Sequence, residues 1–317
     1  MLSYFFVGFS DLNWIKDVER NKKMLYRILV LISDISCLLP SGITRFIGKI
    51  LGELTWLIVP KKRKAMAVRN IKRCLNYSQD EAYTVAKKSW TRFGTMIMEV
   101  LRFKIICPNI EKYVTIIGEE NIQKAIACGK GGVIATAHSG NWEIIGAALT
   151  NKGMKIAGVA QHQRNEDVNK FINYCRSFTN MHITDKLDIK EMMKMLSQKY
   201  FIGLIMDQDG GSTGILMPFF GHEASCVQGP AVMSRFKSAP ILPVFITEDR
   251  PGHHILVVEE PVFTEHTKDK PADIYDMMYS LSQRLEKHIR QYPSEWFWLH
   301  DRWKYVEKKK KEANNLQ

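Results

Sequence analysis

The stretch from Gly131 to Leu149 constrains the fold more than any other part of this 317-residue chain. Gly131-Gly132-Val133-Ile134-Ala135-Thr136-Ala137 is small, β-branched and uncharged, which predicts a short buried strand. Trp142 to Leu149 follows with the pattern of a helix starting to pack on that strand. The alternation continues downstream. Residues 155–160, 201–206, 241–247 and 254–258 read as strands, and 165–178, 189–198 and 273–291 as helices. Strands alternating with helices predict an α/β fold with a mostly parallel central sheet flanked by helices. His138 then stands at the C-terminal end of a strand, where open α/β sheets place their ligands.

His138-Ser139-Gly140-Asn141-Trp142-Glu143 carries the candidate chemistry. On one continuous helix a His and a Glu five residues apart point about 140° from each other. They meet only if the backbone turns between them, and Gly140 permits such a turn. A His held by a carboxylate is a general base that takes a proton from a hydroxyl near neutral pH. Glu143 equally suits the first turn of a helix, where a carboxylate complements the dipole and caps free N–H groups. His138 equally suits a satisfied buried histidine. Ser139 is adjacent, but Ala137 and Asn141 occupy the glycine positions of a nucleophile elbow, which argues against a serine hydrolase.

Beyond these residues the sequence resembles a known family. Ala137 to Glu143 resembles the His-four-residues-acid motif of membrane acyltransferases, in particular the bacterial lipid A late acyltransferases and relatives that acylate phosphatidylinositol mannosides. Lys62-Arg63-Lys64-Ala65-Met66-Ala67-Val68-Arg69-Asn70-Ile71 resembles the basic segment ahead of the catalytic domain. Met206-Asp207-Gln208-Asp209 with Met217-Pro218-Phe219-Phe220-Gly221 is similar to its second signature. Gly229-Pro230-Ala231 leading into 239–246 is similar to the third. Pro293-Ser294-Glu295-Trp296-Phe297-Trp298-Leu299-His300-Asp301-Arg302-Trp303 is similar to the C-terminal signature. In order, these cover about residues 60 to 304.

The resemblance implies an O-acyltransferase that moves a fatty acyl chain from acyl-acyl carrier protein or acyl-CoA to a hydroxyl of a lipid A precursor or similar glycolipid. It implies His138 as base and Glu143 as its orienter, with no acyl-enzyme intermediate, no cofactor and no metal. Arg164 matches the family's Arg in the segment after the dyad and implies a phosphate or thioester contact, for which a guanidinium is suited. Asn141, Asp207, Asp209, Phe219, Phe220, Gly221 and Arg302 are carried as substrate-binding candidates. Asp207 and Asp209, after a strand, are expected at the site mouth, either holding Arg164 or capping the next turn. His162 has no recognised metal-ligand spacing around it. The alternatives are a lysophospholipid or lysophosphatidic acid acyltransferase, or a catalytically idle lipid-binding protein.

Charge bears on the partners. The net charge of +12 suits an anionic membrane face, an acidic acyl carrier protein or a nucleic acid. No zinc finger, RNA-binding aromatic signature or long basic helix is present, so nucleic acid is not expected. The six cysteines lack paired spacing, which suits a reducing compartment. Residues 24–39 and 46–59 are apolar but interrupted by charge, shorter than the run of about 20 residues that a spanning helix needs. Next to Lys61-Lys62-Arg63-Lys64 they predict an interfacial anchor on an anionic leaflet, at the cytoplasmic face of the inner membrane; the alternatives are helices that pack on the core, or the one N-terminal spanning helix that members of the family often carry. The expected organisation is apolar membrane-associating helices at 1–60, an acyltransferase domain at 61–304 and a basic tail at 305–317, whose Lys308–Lys311 run is solvated or touches anionic lipid.

Overall fold

A computed structural model describes residues 24–314. Residues 1–23 of the expected N-terminal segment and 315–317 of the expected tail lie outside the described residues. Four helices come first: α1 (Met24–Leu38), α2 (Ser41–Ile58), α3 (Lys61–Leu75) and α4 (Gln79–Val100). Proline sets two of the boundaries. Val59 precedes Pro60 and takes ψ 127°, because a residue before proline is pushed out of the helical region, so α2 stops and α3 begins. Ser78 and Glu81 form a capping box that starts α4.

Helices α2 and α4 pack through glycine. A Cβ on Gly94 would lie 1.9 Å from the carbonyl oxygen of Gly48, so only two bare backbones fit there. The outer faces are different. Ile28, Leu31, Ile35 and Leu38 on α1 and Phe46, Leu54, Leu57 and Ile58 on α2 are exposed, and exposed apolar side chains in such number mark an interaction site. Among the described residues no helix is long and apolar enough to cross a membrane.

The α/β part follows. Its elements are β1 (Val114–Ile117), α5 (Glu119–Ala127), β2 (Gly132–Thr136), α6 (Ile145–Asn151), β3 (Ile156–Ala160) and α7 (Glu166–Ser177). Then come β4 (His182–Asp185), α8 (Ile189–Ser197), β5 (Phe201–Ile205), β6 (Ile215–Phe219), β7 (His222–Cys226) and α9 (Gly229–Lys237). The chain closes with β8 (Ile241–Arg250), β9 (His253–Val258), α10 (Lys270–Gln291) and α11 (Lys304–Asn314). Seven strands form one sheet in the order β1-β9-β8-β2-β5-β3-β4, and every neighbouring pair is parallel except β8–β9. The mostly parallel sheet expected from the sequence is present.

Both faces of the sheet are covered, as an all-buried strand such as β2 requires. Val133 and Ala135 join the layer formed with Ile71, Phe93, Leu281 and Trp296, while Ile134 joins the opposite layer with Leu29, Leu149 and Phe171. This is the two-residue alternation of a strand. The first helical turn after β2 is a 3-10 turn, Trp142–Ile144, and α6 begins only at Ile145.

Two features go beyond the sequence expectation. Strands β6 and β7 form a separate antiparallel hairpin, turned at Phe220 (φ 53°) and Gly221 (φ 74°). Positive φ at both central residues gives the twist that a tight hairpin needs. The tail is also ordered into a helix, 304–314, in which Val306 is buried, Glu307 pairs with Arg69 and Arg73 of α3, and Lys308 to Lys311 are exposed.

Candidate active site

Strand register brings His138 to its partner. Thr136 at the end of β2 pairs with Ile205 at the end of β5. His138 and Asp207 each lie two residues further on, so they emerge side by side at the C-terminal edge of the sheet. The ring Nδ1 of His138 donates to Asp207 Oδ1 at 2.8 Å. Asp207 Oδ2 accepts the backbone N–H of His138 at 3.0 Å and the indole N–H of Trp296 at 2.7 Å. Burial pushes the Asp207 carboxyl up, but the His138 charge and these hydrogen bonds outweigh it and hold the group at about 2. With Nδ1 engaged, Nε2 is the ring nitrogen left to accept a proton. The ring itself stands edge-on to Trp142, centroids 4.9 Å apart.

Glu143 makes a different pair. Its two oxygens accept Arg176 Nε at 2.9 Å and Nη2 at 2.7 Å, a bidentate bridge to the end of α7. Burial raises the Glu143 carboxyl and Arg176 lowers it further, so the group is held below its ordinary value. The sequence reading gave Glu143 to His138. The geometry gives Asp207 to His138 and Arg176 to Glu143, because β5 delivers a carboxylate straight to the ring while the 3-10 turn at 142–144 carries Glu143 toward α7.

His138, Glu143 and Arg176 share one cleft of about 770 Å³. Its wall is mostly apolar, with Leu204, Ile205, Met192, Met193, Met233 and Ile274, and Lys186 and Lys270 lie along it. A concave apolar cleft with a few convergent polar groups is the usual form of a ligand site. Flexible Met side chains suit an irregular apolar guest.

Gly140 turns the loop as expected, with φ 55°, and a Cβ there would meet the Ile246 carbonyl oxygen at 2.3 Å. The loop is gripped on every side. Gly140 N–H donates to Glu295 O at 3.2 Å, Phe297 N–H donates to His138 O at 3.0 Å, and Arg92 Nη1 donates to Gly140 O at 2.8 Å. Ser139 is 1% exposed and its Oγ lies 2.8 Å from His288 Nε2. It faces away from the cleft, in agreement with the argument against a serine nucleophile.

The remaining candidates fall elsewhere. Arg164 is exposed and does not line the cleft; Arg176 is the arginine that does. Asn141 is buried and donates to Glu99 Oε2 at 2.7 Å. The backbone N–H of Asp209 donates to His300 Nε2 at 3.1 Å. Phe219 and Phe220 were expected in an acceptor or acyl groove. They are core instead: Phe219 packs on Trp296 and Trp303, and the backbone N–H of Phe220 donates to Glu286. Gly221 is the exposed second residue of the hairpin turn. Arg302, expected to bind substrate, is 2% exposed, donates to Ser225 O and lies 5.1 Å from the Phe219 ring centre. Among the described residues no three His, Cys, Asp or Glu side chains are grouped to hold a metal.

The model of the bacterial lipid A biosynthesis acyltransferase family matches residues 18–305. The chain belongs to that family. It is similar to the lipid A biosynthesis lauroyltransferase of Escherichia coli K12, 24% identical over 84% of this chain and 87% of that protein. A phosphatidylinositol mannoside acyltransferase of Mycolicibacterium smegmatis is 24% identical over 59% of this chain. That match spans 62% of the mycobacterial protein, about three fifths of its length. Among solved structures, a 1-acyl-sn-glycerophosphate acyltransferase from Thermotoga maritima overlaps with a TM-score of 0.38 and 14% identity, covering 73% of this chain and 98% of that one.

Two imidazoles near the cleft, His288 buried and His300 half-buried, carry a pH prediction. Burial lowers His288 to about 4, and burial lowers His300 to about 4 as well, from an ordinary 6.5. The unfolded chain takes up these protons near pH 6.5 while the folded chain does not, so their contribution is full above pH 6.5 and is lost as pH falls toward 4. At about 1.4 kcal/mol per tenfold in proton affinity, protonating buried His288 in the folded chain costs roughly 3 kcal/mol, and half-buried His300 adds less. Urea unfolding at pH 7.5, 5.5 and 4.5 is expected to show falling stability, and the decline should shrink in His288→Gln.

Proposed function

We propose that this chain is a membrane-associated O-acyltransferase. It moves a fatty acyl chain from an acyl thioester, on acyl carrier protein or CoA, to a hydroxyl of a lipid A precursor or similar glycolipid. The observation that carries the reading is His138, held by Asp207, lining a mostly apolar cleft in a chain of this family. The relatives' names support the acyl transfer, since the Escherichia coli and Mycolicibacterium proteins are named acyltransferases of lipid A and of phosphatidylinositol mannoside.

In this scheme His138 Nε2 takes the acceptor hydroxyl proton as the oxygen bonds to the thioester carbonyl carbon. The imidazolium so formed is stabilised by Asp207, whose carboxylate stays ionised. The tetrahedral intermediate then expels the thiolate, which recovers the proton from His138 Nε2. Ester and thiol result, and no acyl-enzyme forms. The apolar wall takes the hydrocarbon chain. Arg176 and Lys186 supply positive charge beside the reacting groups, and Glu143 fixes the Arg176 guanidinium.

The exposed apolar faces of α1 and α2, followed by Lys61-Lys62-Arg63-Lys64, support docking on an anionic leaflet. The cytoplasmic face of the inner membrane is the corresponding location. The test is transfer from labelled acyl-acyl carrier protein and acyl-CoA to glycolipid and lysophospholipid acceptors. A labelled glycolipid supports the proposal. Label on lysophospholipid alone moves the substrate to that class, and no product with any pair from folded protein removes the enzyme reading.

A further inference from the structure

The loop that presents His138 is tied to a buried carboxylate that takes no part in the chemistry above. Glu99, near the end of α4, is 8% exposed. Its Oε2 accepts Asn141 Nδ2 at 2.7 Å and His254 Nε2 at 3.1 Å, and its Oε1 accepts Arg45 Nη1 at 2.9 Å. Arg45 also pairs with Glu248 of β8. One carboxylate therefore joins α2, β9 and the loop after β2. Asn141 makes no other side-chain bond: its Oδ1 is buried and without a partner.

A buried ionic group is weak evidence for stability, since an apolar cluster of similar volume often does as well or better. What this group holds is specific. Asn141 lies three residues after His138, and its side chain adds a tether at the far end of a loop whose nearer residues are held through the backbone of His138 and Gly140. The Gly140 carbonyl is held by Arg92 alone among side chains, at 2.8 Å. A shift of the loop by an ångström would move Nε2 off line from an acceptor hydroxyl, and such misplacement costs up to about 100-fold in rate.

We infer that Glu99 is a positioning residue for acyl transfer, fixing the His138 loop through Asn141. The inference rests on the acyltransferase reading for its kinetic consequence and on the hydrogen bond alone for its structural one. Glu99→Leu removes the acceptor at one end of the bond, and Asn141→Ala removes the donor at the other. Each is expected to lower kcat by about 10- to 100-fold with KM within twofold. The double variant should be no slower than the worse single one, because both cut the same link. In NMR spectra of 15N-histidine-labelled protein, the His138 Nδ1–H resonance should shift or broaden in both variants.

That spectrum is read without turnover, so absence of activity in the wild type would overturn the enzyme reading and leave this test standing. Unchanged kcat in active, folded Asn141→Ala overturns the inference. So do losses that multiply in the double variant, or a His138 resonance that stays put. If Glu99→Leu does not fold, Asn141→Ala and its spectrum decide alone.

Discussion

His138→Ala is expected to lower acyl transfer by about 10²- to 10⁴-fold while the protein remains folded. Among the described residues the side chain is the one imidazole lining the cleft, with an oriented tautomer and Nε2 left to accept a proton, and no Cys lines the cleft to take over. The residual rate would come from holding thioester and alcohol together in the cleft, so KM should change far less than kcat. Stability should change little for a different reason. Removing the imidazole leaves Asp207 buried, but its Oδ2 keeps the Trp296 indole and the residue-138 amide. Circular dichroism and the thermal midpoint check the fold, and steady-state transfer checks the rate. A variant with wild-type kcat would remove His138 from the mechanism.

Arg176→Met is expected to be the most destabilising single change in the cleft. It strands the Glu143 carboxylate, 7% exposed, with neither of its two guanidinium bonds. Breaking one side of a buried pair costs about 3–5 kcal/mol. The effect should depend on pH. With Arg176 gone, burial dominates and raises the Glu143 carboxyl above its unfolded value, so stability holds at low pH and falls as pH rises through the carboxyl's new range. Urea midpoints at pH 5 and pH 8 should therefore diverge, with the larger loss at pH 8. Arg176→Met/Glu143→Leu should recover most of it, since removing both charges leaves no stranded ion. Equal losses at both pH values, or no recovery in the double variant, would show that the bridge is not the source.

The legible parts of the fold were those with strong local signals. Residues 131–137 gave strand β2 because an uncharged β-branched run has few other uses, and Asn165 before two acidic residues gave the start of α7, where it caps Asp167 and Val168. His138 was placed at the right edge of the sheet for the same reason. Its partner was not legible. Whether β5 lies next to β2 is a property of strand order, which no local pattern encodes, so Asp207 was seen at the mouth but not beside the ring. Arg176 was missed because an arginine in the last turn of an amphipathic helix looks like a solvated C-terminal charge. Its burial depends on where the 3-10 turn aims Glu143. Phe219, Phe220 and Arg302 were carried to the substrate by motif, whereas tertiary packing places them in the layer under α10. A motif reports that residues matter together without saying whether they touch ligand or one another.

One comparison tests the central claim that His138 works against Asp207: kcat for Asp207→Asn and Glu143→Gln, measured on the same donor and acceptor. Asp207 Oδ2 faces two N–H donors, so an Asn there keeps its oxygen on that side and turns its NH₂ toward His138 Nδ1. That forces the proton onto Nε2 and removes the base, a loss on the order of 10³- to 10⁴-fold. Glu143→Gln leaves the His138 tautomer untouched and should cost no more than about 10-fold by loosening Arg176. A larger loss in Glu143→Gln, with Asp207→Asn close to wild type, would contradict the account and return the dyad to His138 and Glu143.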